Sequence, residues 1–433
     1  MFRAVWFGRV ISVFLGVAGF AAGLSEAAAQ TPSAESLRLQ DVLAKVMQTN
    51  PKLQGQRYAI AGADARKDQA ALRPALELGL DVENVLGTGR VRTFNNAEAT
   101  LRLGTVLELG GKREKRVALA DSERDLITIE KDAERLDILA EATRRFILVL
   151  AEQERLQLAR QNLELTERTV NLVKQRVAQG RASLVEGHNA KLAFIQSEIA
   201  VQEQQSSLRN TWASLSASWG GKPERQGESV GDIFELPVLA AFSQLTDAVE
   251  RNADIIRFAT ERRVNEAKLR LSEAGRTPDV SANLGIRRLQ TTKDQAIVFS
   301  VAVPLGTSSR SAPFEREAQS RIESGRFEEA TARNNLTATL YGLHGQVESA
   351  RNVFAQLQEA ALPEATQAER LTEEGYQTGR LSLLELTVAR QSRLAVRQQA
   401  VTTAATYHQL FLEIERLTGQ SMAVKAEAQN NAR

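Results

Sequence analysis

Hydrophobic and polar positions along this chain follow two periods, and the switch between them divides it into elements. From Lys112 to Val177 there is neither Pro nor Gly, and apolar residues recur every seven positions at Leu119, Leu126, Ala133, Ala140 and Ile147. A companion seam runs through Ile129, Leu136, Thr143 and Leu150, and the register then moves to Val149, Leu156, Leu163, Val170 and Val177. A heptad pattern of that length predicts a helical rod of about 100 Å at a rise of roughly 1.5 Å per residue, packed as a coiled coil. A later rod carries Leu340, Val347, Phe354, Ala361 and Ala368 in the same role, and Pro363 within it is expected to kink the helix or open a backbone bond.

Ahead of each rod the period falls to two. Leu76, Leu78, Leu80 and Val82 alternate with Glu77, Gly79, Asp81 and Glu83, and Leu101, Leu103, Thr105, Leu107 and Leu109 alternate with Arg102, Gly104, Val106 and Glu108. The later set is Val280, Ala282, Leu284 and Ile286, then Ile297, Phe299, Val301, Val303 and Leu305, with Pro278 and Pro304 at strand ends where a missing N–H is tolerated. Polar loops, Gly87–Asn96 and Arg287–Gln295, join each pair into a hairpin. Alternation of this kind fits a half-buried hairpin in a soluble sheet. It equally fits a tilted bilayer-spanning strand of about nine to eleven residues, apolar towards lipid and polar towards a wet lumen. The setting favours lipid, because the hairpins lie between long rods and have no other apolar surface to cover. Four strands cannot close a barrel, and an open edge in lipid leaves N–H and C=O groups unsatisfied. Copies of the chain must then complete it, and three copies, with twelve strands, leave an opening where two would not.

The pattern is also written twice. VAQGRASLVE, Val177–Glu186, returns as YQTGRLSLLE, Tyr376–Glu385, with Gly180 and Gly379 lying 199 positions apart. Near the start of each copy Asn50 in DVLAKVMQTNPKL matches Asn252 in DAVERNADI at a shift of 202. Such a period is far longer than that of a solenoid repeat, so the duplicated unit is half a protein. The expected organisation is a first repeat over 30–220, with a leading helix, a hairpin at 76–109, a long helix at 112–177, a tip and a return helix at 184–219. A linker at 221–240 precedes a second repeat over 241–420, with a hairpin at 279–305, a long helix at 313–376, a tip and a return helix at 382–417; a tail occupies 421–433. Gly180 and Gly379 read as helix terminators and Ser183 and Ser382 as N-caps of the returning helices. The fold class is mostly α with a smaller β part.

Composition narrows the function. Residues 1–29 carry Arg3 and Arg9, an apolar run from Val10 to Phe20, and Ala27, Ala28 and Ala29, the layout of a secretory signal peptide. The run is shorter than the roughly 18–20 residues of a spanning helix. The chain has no cysteine, which excludes disulfides, thiolate metal sites and a lipid-bearing cysteine. A formal net charge of +2 leaves no field to recruit nucleic acid. No phosphate-cradling glycine loop, nucleophile elbow or His-Glu-x-x-His is present, so no catalytic residue and no cofactor is expected. His188, His344 and His408 are too scattered to form a metal site.

From about Leu39 to Gly419 the chain resembles the TolC-type outer-membrane efflux proteins. The residues that carry the resemblance are the Asn-bearing leading helices, the two hairpins, Leu109-Gly110-Gly111-Lys112, Leu362-Pro363 and above all the duplicated Gly-Arg-x-Ser-Leu tips. LELGGKREKR, Leu107–Arg116, is further similar to the CzcC-like heavy-metal branch. The resemblance implies a homotrimer whose twelve-stranded barrel sits in outer-membrane lipid and continues as an α-helical barrel across the periplasm. It implies docking to a periplasmic adaptor protein and an inner-membrane proton-driven RND pump, and passive conduction of substrate, with heavy-metal cations as the expected cargo. Drug efflux and type I protein secretion remain open within that family, and a soluble periplasmic scaffold or adaptor remains open outside it.

On this resemblance Gly180, Arg181, Ser183, Leu184, Gly379, Arg380, Ser382 and Leu383 are the adaptor-docking tips, against the plainer reading of helix-turn-helix corners. Glu385, its counterpart Glu186, and Tyr376 are candidates for a periplasmic gate, where three symmetry copies of a carboxylate would attract cations and could hold the pore shut. Solvated helix-face glutamates are the alternative, since the sequence does not say which face looks inward.

Overall fold

The computed structural model describes residues 36–222 and 228–419. The signal-peptide region 1–29 and the tail 421–433 lie outside the described residues. Two long helical hairpins dominate. In the first half α1 (Leu39–Thr49) and α2 (Pro51–Ala70) lead into β2 (Glu77–Glu83) and β3 (Glu98–Leu107), followed by α3 (Lys112–Ala178) and α4 (Leu184–Ala217). A two-residue strand β1 (Ser36–Leu37) pairs in parallel with β4 (Glu228–Ser229) in the linker. The second half repeats the order with α5 (Phe242–Val249), α6 (Ala253–Ala274), β5 (Val280–Leu289), β6 (Gln295–Ala302) and α7 (Thr307–Gln356). A π-helical stretch, Leu357–Ala361, joins α7 to α8 (Leu362–Gln377), and α9 (Leu383–Thr418) returns. At 67 residues α3 is about 100 Å long.

Three departures from simple helices have local causes. Each leading segment is two helices rather than one, broken at Asn50 and at Asn252, the matched asparagines of the duplication. Asn50 must leave the α region because Pro51 follows it, and its φ and ψ of −61° and 124° are extended. Its Oδ1 accepts from the N–H of Lys52 and Leu53 at 2.9 and 3.2 Å, while its Nδ2 donates to the Ser218 carbonyl at 2.7 Å. Asn252 does the same work, accepting from the Asp254 N–H at 2.7 Å and donating to the Leu417 carbonyl at 2.6 Å. Each asparagine thus caps one helix and ties it to the end of the return helix far away in sequence. Asn252→Ala is expected to lose about 1–2 kcal/mol from the cap and roughly 1–3 kcal/mol more from the stranded Leu417 carbonyl, read as a lowered thermal midpoint. An unchanged midpoint would rule out this staple.

The second departure is at Pro363. The N–H of Leu362 bonds to the Leu357 carbonyl, five residues back, and Pro363 offers no N–H. The backbone absorbs the missing donor by widening one turn, without a break. The third is the start of the second rod, which begins at Thr307 and takes Pro313 inside the helix, where 313 is the start expected from the sequence. Thr307 Oγ1 donates to the Arg276 carbonyl at 2.6 Å, anchoring the earlier start to the end of α6.

Burial follows the pseudo-symmetry. One apolar cluster packs Val42, Val46, Phe146, Trp212 and Leu215 from α1, α3 and α4; its counterpart packs Leu245, Val249, Leu340, Tyr407 and Phe411 from α5, α7 and α9. A third cluster joins the halves, with Ala140, Ile147 and Leu158 of α3 against Val401, Ala404 and Leu412 of α9 and Ile233 of the linker. Tyr407 Oη donates to the Pro237 carbonyl, and His408 Nε2 lies 2.9 Å from the Ile233 carbonyl. Burial holds that imidazole below its ordinary range. Among the described residues no helix is long and apolar enough to cross a membrane.

Candidate functional site: a two-faced sheet and the helical tips

The four hairpin strands form one antiparallel sheet in the order β2-β3-β5-β6, with β2 and β6 at its edges. Register decides what each face offers. Leu78, Leu103, Leu284 and Phe299 stand side by side across all four strands, and Leu80, Leu101, Ile286 and Ile297 form the next row. All eight side chains are exposed in the protomer. Because side chains alternate, the intervening positions point to the opposite face. There Asp81 meets Arg102 at 3.0 Å, and Arg287 reaches Thr100 at 2.9 Å, Glu98 at 3.0 Å and Glu83 at 3.3 Å. Gly285 on this face admits the neighbouring strand closely; a Cβ would lie 2.8 Å from the Leu101 carbonyl oxygen. One face is therefore mostly apolar, with Arg288 and Gln295 at its loop end, and the other carries the ion pairs.

At the far end of the rods the two tips share one backbone design. In the first, the Gly180 N–H bonds to the Val177 carbonyl at 3.0 Å and the Arg181 N–H to the Arg176 carbonyl at 2.8 Å; in the second, Gly379 bonds to Tyr376 at 3.0 Å and Arg380 to Gly375 at 2.8 Å. These paired bonds close a helix through a left-handed residue, and glycine supplies it, with φ of 69° at Gly180 and 77° at Gly379. Ser183 Oγ accepts from the Glu186 N–H at 3.2 Å and Ser382 Oγ from the Glu385 N–H at 3.3 Å. Arg181, Ser183, Arg380 and Ser382 are exposed.

The tips differ in their apolar corners. Leu184 is 73% exposed, whereas Leu383 is only 5% exposed and packs with Val173, Tyr376 and Leu386. The first turn of α9 points Leu383 into the tip core, and the exposed leucine of that tip is Leu384.

The candidate gate residues fall into different roles. The Glu385 carboxylate folds back on its own helix, accepting from the Ser382 N–H at 2.7 Å and from Ser382 Oγ at 2.8 Å. These bonds, led by the backbone one, hold its carboxyl below the usual carboxylate range. Tyr376 is buried, with the Arg176 guanidinium 4.5 Å from the centre of its ring and donating to its carbonyl. Its hydroxyl finds no hydrogen-bond partner among the described residues, and burial raises its pKa. Glu186 caps no backbone of its own and is half-buried.

Sequence reasoning passed over a buried charge cluster above the second tip. Glu369 of α8, its side chain 9% exposed, pairs with Arg393 and lies 3.6 Å from Arg390, both on α9. Arg390 also reaches Glu373 at 3.4 Å and donates to Thr169 Oγ1 on α3, so it links the two helical hairpins. The available signal was a charge beside the seam: Glu369 follows Ala368 directly, on a helix whose apolar stripe faces α9. Of the histidines, His344 sits 3.6 Å from Glu348, and no group of three metal-capable side chains occurs among the described residues.

A four-stranded sheet with one apolar and one polar face, set on long helical hairpins, is a fold shared with solved outer-membrane proteins. Solved structures with this fold include VceC of Vibrio cholerae, at 20% identity over 88% of this chain and 96% of that one with a TM-score of 0.71. CusC is similar at 14% identity, 90% and 93% coverage and a TM-score of 0.74. In sequence the chain is 26% identical over 352 residues to the cobalt-zinc-cadmium resistance protein CzcC of Cupriavidus metallidurans, covering 81% of this chain and 82% of that protein. Residues 42–221 match the outer membrane efflux protein family.

Proposed function

We propose that this protein is the outer-membrane exit duct of a tripartite efflux system and that its cargo is heavy-metal cations. The observation that carries the duct is the sheet. Its apolar rows are exposed and both edges are open in the protomer, a state that lipid and edge pairing with further copies would satisfy together. Three copies would close twelve strands around the ion-paired face, and the helical hairpins would extend the bore through the periplasm. The similarity to CzcC supports the metal cargo. In this reading the chain binds no resident metal, and energy comes from an inner-membrane RND pump through a periplasmic adaptor that meets Gly180, Arg181, Ser183, Leu184, Gly379, Arg380 and Ser382.

The direct test is a purified, heat-modifiable trimer that conducts in planar bilayers and restores cobalt, zinc or cadmium tolerance to a strain lacking it. A monomer that is soluble without detergent overturns the duct; a conducting trimer that restores drug tolerance but no metal tolerance overturns the cargo. Arg380→Glu is expected to abolish the tolerance while leaving the trimer and its conductance intact, and normal tolerance in that variant removes Arg380 from docking.

Glu385 needs a variant that separates charge from capping. Glu385→Gln keeps a side chain able to accept from the Ser382 N–H but removes the carboxylate charge. Raised resting conductance in this variant supports a charge gate, and unchanged single-channel current assigns Glu385 to the helix cap alone.

A further inference from the structure

A cavity of about 400 Å³ lies where α3 and α9 meet the π-helical stretch. Its walls are Leu158 of α3, Val401 of α9 and Leu362, roofed by Phe234 of the linker stacked on Phe354 with ring centres 6.1 Å apart. Two of the lining residues, Glu154 and Gln358, carry acceptors. Glu154 is partly buried and takes no hydrogen bond among the described residues; its charged surroundings are Asp232 of the linker and Arg397 of α9. The Arg397 guanidinium is engaged elsewhere, donating to Gln161 Oε1 at 2.6 Å. The second acceptor is the backbone carbonyl of Gln358. Its usual helical donor, the Leu362 N–H, is committed to Leu357, and the next residue is Pro363.

We propose that this cavity is a binding site for an aromatic or aryl-alkyl amine. Its volume is that of an ordinary small-molecule site. The ammonium would donate to the Glu154 carboxylate and the Gln358 carbonyl, and the aryl group would lie against Phe234 and Phe354, where aromatic rings also favour a nearby cation. Glu154 and Arg397 are the charged lining residues, and Arg397 is already engaged by Gln161, so the Glu154 carboxylate favours a cation over an anion of the same shape. The site is separate from the polar face of the sheet and from the tips, and it does not depend on which solute the duct carries. A bound amine would bridge α3 to the wide turn between α7 and α8 and steady that turn.

The test uses the full-length protein exchanged from detergent into an amphipathic polymer, titrated with 1-naphthylmethylamine, 1-naphthylmethanol and 1-naphthoate. Saturable binding of the amine, one per chain and about tenfold tighter than the alcohol, is expected, with the acid weakest. Glu154→Gln should bring the amine to the alcohol's affinity without changing the thermal midpoint, and Leu362→Trp, which puts a larger side chain into the cavity from its wall, should abolish binding of all three. Amide exchange over 357–362 should slow when the amine is present. Equal affinity for the three probes, or amine binding that survives both substitutions, overturns the proposal.

Discussion

Glu369→Ala is expected to loosen the tip end of the rods more than any other single truncation there. Removing one member of a buried ion pair typically costs about 3–5 kcal/mol, because the partner is left charged and unpaired in a poorly solvated site. Here the damage falls on Arg393, which loses its carboxylate, while Arg390 retains Glu373 at 3.4 Å. The loss should therefore lie towards the lower part of that range. It should appear as faster amide exchange through α8 and the start of α9, and as increased resting conductance if the tips restrict the bore. Removing all three charges together, in Glu369→Leu with Arg390→Met and Arg393→Met, should recover much of the stability, since the one partner then left over, Glu373, is 41% exposed and stays solvated. Exchange rates unchanged in the single variant would mean that Glu369 holds nothing at the tip.

Phe299→Arg is expected to prevent assembly in the membrane, and Ser300→Arg to permit it. Phe299 stands in the apolar row with Leu78, Leu103 and Leu284, and an arginine on the lipid face near the bilayer midplane costs about 2–4 kcal/mol. In a symmetric assembly that penalty recurs in every copy. Ser300 is the next residue and points to the other face, 3.2 Å from Asn283, where Arg102 and Arg287 already reside. The measurement is the yield of heat-modifiable oligomer in the outer-membrane fraction. Equal yields, or a reversed order, would mean that the two faces have been assigned the wrong way round.

The contrast between those neighbours shows what a linear pattern carries. Alternation, strict from Leu76 to Val82 and looser from Ile297 to Val303, where Val298 and Ala302 interrupt it, marks both strands and their two faces, because a pleated strand has a period of two. The heptads of the long rods are legible for a similar reason, and the Gly-Arg-x-Ser-Leu motif marks both turns because only glycine enters the left-handed region there freely. Local signals are weaker where two chain segments decide together. Leu184 and Leu383 occupy the same slot of the duplicated motif, yet one is exposed and the other buried, since only the second tip presses that corner against Val173 and Tyr376. Glu385 is likewise a recognisable carboxylate at a recognisable place, but its bonds to Ser382 appear only once the helix start is folded.

By itself the sequence determined the duplication, the helical and pleated periods, the glycine turns and the absence of cysteine chemistry, because each is a property of neighbours along the chain or of composition. Tertiary structure alone decided that Asn50 and Asn252 reach across to Ser218 and Leu417, and that Glu369 is enclosed by two arginines. It also decided that Glu154 and Gln358 line one cavity with a pair of stacked rings. These contacts join residues that the chain brings together only by folding, and burial, which sets the strength of each, is a property of the surroundings and not of the residue.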